Sequence, residues 1–100
     1  MNTIEVRQTG EFLTWMRGLR DERAKARVVS RIHRMELGNP GDAKQLGGGL
    51  NEMRIDYGPG YRIYFTRRGA SIVILLAGGD KRTQSRDIKK ARQLLEELDR

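Results

Sequence analysis

The sequence predicts an α+β domain: a small, antiparallel-rich sheet of four strands in the order β-α-α-β-β-β-α, with the helices packed on one face. Two observations carry this. Between Asn51 and Lys81, three strand-like runs are separated by Gly58-Pro59-Gly60 and by Arg68-Gly69, the pattern of a three-stranded antiparallel meander. On either side of the meander, apolar residues recur at helical spacing. One hundred residues can bury one modest core and are too few for two, so residues 1–100 are expected to form a single domain.

The elements follow in order. Thr3 to Arg7 alternates Ile4 and Val6 with polar residues, a short first strand. Thr9 can cap a helix that starts at Gly10, in which Phe12, Trp15, Met16 and Leu19 fall at i, i+3, i+4 and i+7. Trp15 is expected in the core. Gly18 breaks that helix and Asp21 can cap the next, which runs to about Leu37. Ala24, Val28, Ile32 and Met35 share one side of it, while Arg20, Arg23, Arg27, Arg31 and Arg34 lie largely around the other. Gly38-Asn39-Pro40-Gly41 ends the helix. Asp42 to Leu50 reads as a pliable loop. Its glycine run is too short for a phosphate-binding P-loop, and no Gly-Lys-Ser/Thr follows. After the meander, Thr83 or Ser85 caps a last helix with Ile88, Ala91, Leu94, Leu95 and Leu98 as its stripe.

Within the meander, Met53, Ile55 and Tyr57 alternate with Glu52, Arg54 and Asp56, and Tyr61, Ile63 and Phe65 alternate with Arg62, Tyr64 and Thr66. One face is therefore apolar and the other charged. Keeping Ile55 and Ile63 on one side requires a first loop of odd length. The simplest is Gly58-Pro59-Gly60, which sets Asp56 opposite Arg62 and Arg54 opposite Tyr64; a five-residue loop has the same parity. A two-residue turn at Arg68-Gly69 then pairs Arg62 with Leu75. The third strand is expected to end at Gly78-Gly79, delivering Asp80, Lys81 and Arg82 to the corner beside the first turn.

Composition narrows the classes of function. Lys and Arg exceed Asp and Glu to give a net charge of +7, and the pI is near 10.4. Such an excess favours a polyanionic partner, with nucleic acid ahead of an acidic protein or a membrane surface. The absence of cysteine excludes disulfides, thiolate metal sites and cysteine catalysis. With one histidine, His33, and no carboxylate pair at ligand spacing, neither a catalytic metal nor another cofactor is expected. No long apolar run or signal-peptide pattern occurs, so a cytoplasmic chain with no membrane partner is expected.

The run Leu50 to Lys81 contains Glu52-Met53-Arg54-Ile55, Gly58-Pro59-Gly60-Tyr61-Arg62-Ile63-Tyr64-Phe65 and Gly78-Gly79-Asp80-Lys81. It resembles the RelE/ParE toxin superfamily, and within it the HigB-type addiction module killer proteins of type II toxin–antitoxin systems. Element order is similar over nearly the whole chain. The Gly-x-Gly-Tyr-Arg-hydrophobic-Tyr core, with a lysine after a downstream glycine pair, is the specific part. The resemblance implies a RelE/ParE-like fold and a toxin that cleaves mRNA, usually on the ribosome. It also implies neutralisation by a small antitoxin, expected to be a helix-turn-helix protein encoded alongside.

Carried over by position, Arg62 matches the strand arginine that family members use on the scissile phosphate. Arg54 falls at a basic position on the preceding strand, and Lys81 and Arg82 match the basic pair after the last strand. Two departures stand out. Some members carry a catalytic tyrosine or histidine after that pair, where this chain has Thr83, Gln84 and Ser85, and Asp56 stands where a base is common. The expected catalytic residues are accordingly Arg62, Lys81 and Asp56, with Arg54, Tyr64, Arg82 and Gln84 binding RNA. Val73 and Leu75, apolar on the face read as exposed, are expected to bind the antitoxin.

Each residue also has a plainer reading. Arg62 and Asp56 could form an ordinary cross-strand ion pair. Lys81 and Arg82 could be solvated loop charges, and Tyr64 could stack on a base or merely flank Val73. Val73 and Leu75 could belong to a strand buried on both sides. His33 reads as solvated, and the arginine run of the second helix as a solvated face or a contact for RNA phosphates.

The chemistry open to such a site is metal-independent RNA cleavage by the 2′-OH. It needs a proton acceptor, charge stabilisation on the phosphorane and a proton for the leaving 5′-oxygen. Arg62 suits a bidentate hold on phosphate, Lys81 the acid or charge-stabilising role, and Asp56 or a water it holds the role of base. Two alternatives belong to other classes: a ParE-like toxin that binds DNA gyrase without cutting RNA, and an inert RNA-binding or regulatory module.

Overall fold

The computed structural model describes residues 3–100. The order of elements is β1 (Glu5–Gln8), α1 (Gly10–Gly18), α2 (Glu22–Glu36), β2 (Ala43–Gly47), β3 (Leu50–Ile55), β4 (Tyr61–Arg68), β5 (Ile72–Asp80), a 3-10 turn (Lys81–Thr83) and α3 (Gln84–Leu98). The five strands form one sheet in the order β1-β5-β4-β3-β2. The α+β class holds, with five strands where four were expected. All neighbours are antiparallel except β1, which runs parallel to β5 with Val6 beside Val73.

Two of the three predicted helix caps form, while Thr83 precedes α3 without a side-chain cap bond to it. Thr9 Oγ1 accepts from Phe12 N at 3.1 Å, and Asp21 Oδ1 accepts from Arg23 N at 2.9 Å, each satisfying backbone donors that a first helical turn leaves free. The extra strand, β2, lies in the stretch read as a loop. Ala43-Lys44-Gln45-Leu46 has no β-branched residue and little alternation, so its strand character comes from pairing with β3 rather than from propensity. The glycines 47–49 make the turn between them, all with positive φ.

Helices cover both faces of the sheet, not one. Phe12, Val28 and Met35 from α1 and α2 pack on Met53, Ile55, Ile63, Phe65, Val73 and Leu75. On the opposite face Ala91 and Leu95 of α3 cover Leu50, Tyr64, Leu76 and Ala77. The near-continuous apolar run of β5 is what a strand buried on both sides requires. Val73 and Leu75, expected on an exposed face, lie instead on the face that α1 and α2 cover, as core residues at 1% and 0% exposure, and cannot meet a partner. Trp15 packs with the first cluster, 5.6 Å from the Phe12 ring centroid, as expected. A Cβ on Gly78 would overlap the Trp15 ring, so this position has room only for glycine.

The register differs from the simplest sequence reading. Ile55 pairs with Tyr61, so the first loop is the five-residue alternative, 56–60. Arg68 pairs with Ile72 across a three-residue turn, and a bulge follows on β5, where Phe65 faces Leu75 but Tyr64 faces Ala77. No helix among the described residues is long and apolar enough to cross a membrane.

Candidate functional site

The register shift decides what surrounds Arg62. It lies opposite Arg54 on β3 and Gly79 on β5, not opposite Asp56 and Leu75. Both arginines project from the face that α3 covers, at the end its first turn leaves open. Arg62 donates through Nη1 to Gly60 O at 2.6 Å, which draws the guanidinium over the first turn. Arg54 donates through Nη2 to Asp42 Oδ1 at 3.1 Å, and Arg31 of α2 donates to the Arg54 carbonyl at 2.6 Å. Arg31 thus leaves the solvated arginine face and pins β3 to α2. The Nε atoms of Arg54 and Arg62 are both buried without a partner.

Lys81 reaches the same place from the other side. β5 continues to Asp80, whose Oδ1 accepts from Arg82 N at 2.8 Å and so starts the 3-10 turn that carries Lys81. A Cβ on Gly60 would stand 2.7 Å from Arg62 Nη1 and 3.7 Å from the Lys81 Cβ, so this glycine marks where the two meet. Together Arg54, Arg62 and Lys81 line an open cleft of about 450 Å³ with Asp42, Asp56 and the Gly58–Gly60 turn. Asp56 lies past the end of β3, exposed at the cleft rim. Two arginines and a lysine lining one cleft, with Asp42 pairing only Arg54, concentrate positive charge there, and such a cluster attracts anions.

The remaining expected site residues are placed differently. Arg82 is exposed and paired with Asp80 at 3.0 Å, and the Arg82 hydrogen bond holds the Asp80 carboxyl below its usual range. Tyr64, expected on an open face to stack on a base, is fully buried under α3. Burial first, and then the Glu52 charge, raise its hydroxyl pKa, so it remains a protonated phenol. Gln84 turns inward and donates through Nε2 to Glu52 Oε2 at 2.7 Å. Glu52, at 0% exposure, is the residue the sequence reading passed over. Its place on the charged face, two residues before Arg54, was the available signal. His33 is solvated on α2, 3.6 Å from Glu36. Among the described residues, no group of three or more His, Asp or Glu could hold a metal ion.

The fold and the cleft define a small α+β protein with Arg54, Arg62 and Lys81 lining an open cleft at the end of its sheet. Residues 14–96 match the family described as "Phage derived protein Gp49-like (DUF891)", and the chain belongs to that family, a toxin-like family associated with toxin–antitoxin systems. It is also 47% identical over 96 residues to an uncharacterized protein of Haemophilus influenzae (strain ATCC 51907 / DSM 11121 / KW20 / Rd), covering 96% of this chain and 97% of that one.

Proposed function

We propose that this chain is the toxin of a type II toxin–antitoxin pair and acts as an endoribonuclease on mRNA held in the ribosome. The observation that carries the reading is the opposed Arg54–Arg62 pair facing Lys81 across one cleft. Family membership, the net charge of +7 and the resemblance of the Leu50–Lys81 run to HigB-type toxins support the same reading.

In this mechanism the RNA supplies its own nucleophile, the 2′-OH beside the scissile phosphate. Arg62 and Arg54 grip the non-bridging oxygens, and their charge offsets that of the phosphorane. Lys81 faces the leaving 5′-oxygen and protonates it. Asp56 at the rim, directly or through water, takes the 2′-OH proton. The step needs no metal ion, since guanidinium and ammonium groups supply the charge stabilisation and the proton. Asp56 stands on an exposed turn with no buried support, so the ribosome must supply much of the alignment. An antitoxin rich in Asp and Glu would be drawn to the same basic surface.

The test is expression without an antitoxin, followed by mapping of mRNA 5′ ends, together with cleavage of mRNA on programmed ribosomes by the purified protein. New 5′ ends within translated codons are expected. Intact messages accompanied by DNA breaks and an SOS response would instead assign the protein to the gyrase-binding class.

A further inference from the structure

We infer that Glu52 is a positioning residue that, through Gln84, fixes Lys81 across the cleft from Arg54 and Arg62. The inference rests on the ribonuclease reading for its activity arm and on the geometry alone for its structural arm.

Glu52 is expensive where it stands. Its carboxylate is at 0% exposure, yet among the described residues no cation lies within ion-pair distance of it, and Oε1 has no hydrogen-bond partner. The Tyr64 hydroxyl, from the residue directly across the hairpin, is likewise buried and unpartnered. Leucine at this position would join Leu50, Leu76 and Leu95 in the same layer at no electrostatic cost. Stability therefore does not explain a carboxylate here.

Position does. Glu52 lies two residues before Arg54 on β3, and its register partner Tyr64 lies two residues after Arg62 on β4. Its single hydrogen bond, from Gln84 Nε2 at 2.7 Å, reaches the first residue of α3, immediately after the turn Lys81–Thr83. That turn is anchored at its start by the Asp80 cap and within α3 by the hydrogen bond from Thr83 to Asp87. The Glu52–Gln84 bond is the direct side-chain tie between the segment carrying Lys81 and the strand carrying Arg54. It spans the sheet-to-helix junction, where sliding of α3 would move Lys81 away from the arginines.

The experiment compares Glu52→Leu, which severs the tie, with Glu52→Gln, whose carbonyl oxygen can still accept from Gln84. In full-length protein, Glu52→Leu is expected to accelerate amide hydrogen exchange at residues 81–84 while the thermal midpoint stays at or above wild type. On programmed ribosomes it should lower kcat roughly tenfold to a hundredfold with little change in KM, the penalty of a misplaced catalytic group. Glu52→Gln should recover most of both readouts. Because the effect passes through Lys81, Glu52→Leu should cost little more once Lys81→Ala is present. Unchanged exchange at 81–84, or a kcat loss equally large in the Lys81→Ala background, would overturn the inference. If wild-type protein cuts no mRNA, the nuclease reading fails. Exchange at 81–84 and binding of a non-cleavable 2′-O-methyl oligoribonucleotide then decide the tie, with unchanged values in Glu52→Leu refuting it.

Discussion

Arg54 stands directly across the β3–β4 hairpin from Arg62, and the guanidinium of Arg62 is held by a backbone carbonyl rather than a carboxylate. Among the described residues Arg62 makes no ion pair, whereas Arg54 is paired with Asp42 at 3.1 Å, so removing Arg62 forfeits no salt bridge. Arg62→Ala is therefore expected to leave the fold intact or to stabilise it by a few tenths of a kcal/mol. The same change should lower mRNA cleavage by about two orders of magnitude or more, the typical loss on removing one preorganised charge-stabilising donor. Arg62→Lys should restore little, since an ammonium lacks the planar fork. Thermal melts alongside cleavage on programmed ribosomes check both halves. A folded Arg62→Ala protein that cuts at the wild-type rate would remove Arg62 from the site.

Gly78→Ala should destabilise the protein by about 1–3 kcal/mol, because the added methyl must displace a packed indole. Trp15→Phe should recover part of this loss by opening space. Urea unfolding of the single and double variants measures the coupling, and purely additive effects would contradict the contact.

Leu75→Asp is expected to abolish folding rather than to weaken a partner contact. The side chain is at 0% exposure in the cluster formed with α1 and α2, and an unpaired carboxylate there has no compensating group. Circular dichroism of the purified variant is the check. A native spectrum with selective loss of antitoxin binding would reverse the assignment.

Asp80 predicts a pH dependence. The Arg82 side-chain hydrogen bond is the largest cause holding its pKa below the usual 3.8. The folded state thus binds this proton less readily than the unfolded chain. Its stabilising contribution is complete above about pH 4, the unfolded value, and fades as the pH falls through the folded value. Stability differences between wild type and Asp80→Asn, measured by urea unfolding, should accordingly shrink below pH 3.8. A difference that stays constant down to pH 2 would exclude this linkage.

Much of the architecture could be read from residue order because local signals agreed with tertiary structure. Thr9 and Asp21 cap helices as side-chain chemistry requires, and Phe12 and Val28 fall on the buried stripes. The register was harder. The parity of the first loop was legible, but whether Asp56 and Tyr57 belong to strand or turn depends on Tyr57, which swings out to bond Asp21 at 3.1 Å. The second turn lies at 69–71 rather than at Arg68-Gly69, and β5 carries a bulge; together they place Gly79 rather than Leu75 beside Arg62. Tyr64 was misplaced because alternation identifies two faces of a strand but cannot show that a helix from beyond the meander covers the second. Val73 and Leu75 were misplaced by register: the three-residue turn after Arg68 puts them on the face of Ile63 and Phe65. The meeting of Arg62 with Lys81 survived these errors because both readings bring the end of β5 beside the first turn.

The parallel pairing of β1 with β5 sets the order of events while the chain is being made. Thr9 reaches its acceptor on Leu76 across 67 residues of sequence, and Glu5 to Gln8 pair with Ile72 to Leu75. The first strand emerges early and waits unpaired until the fifth has left the exit tunnel, so contacts of such long range form late and together. The cleft, whose lysine follows β5, is completed later still. A nascent chain thus has no complete cleft until β5 and the turn after it have left the exit tunnel, so an activity that needs the cleft appears only late in synthesis.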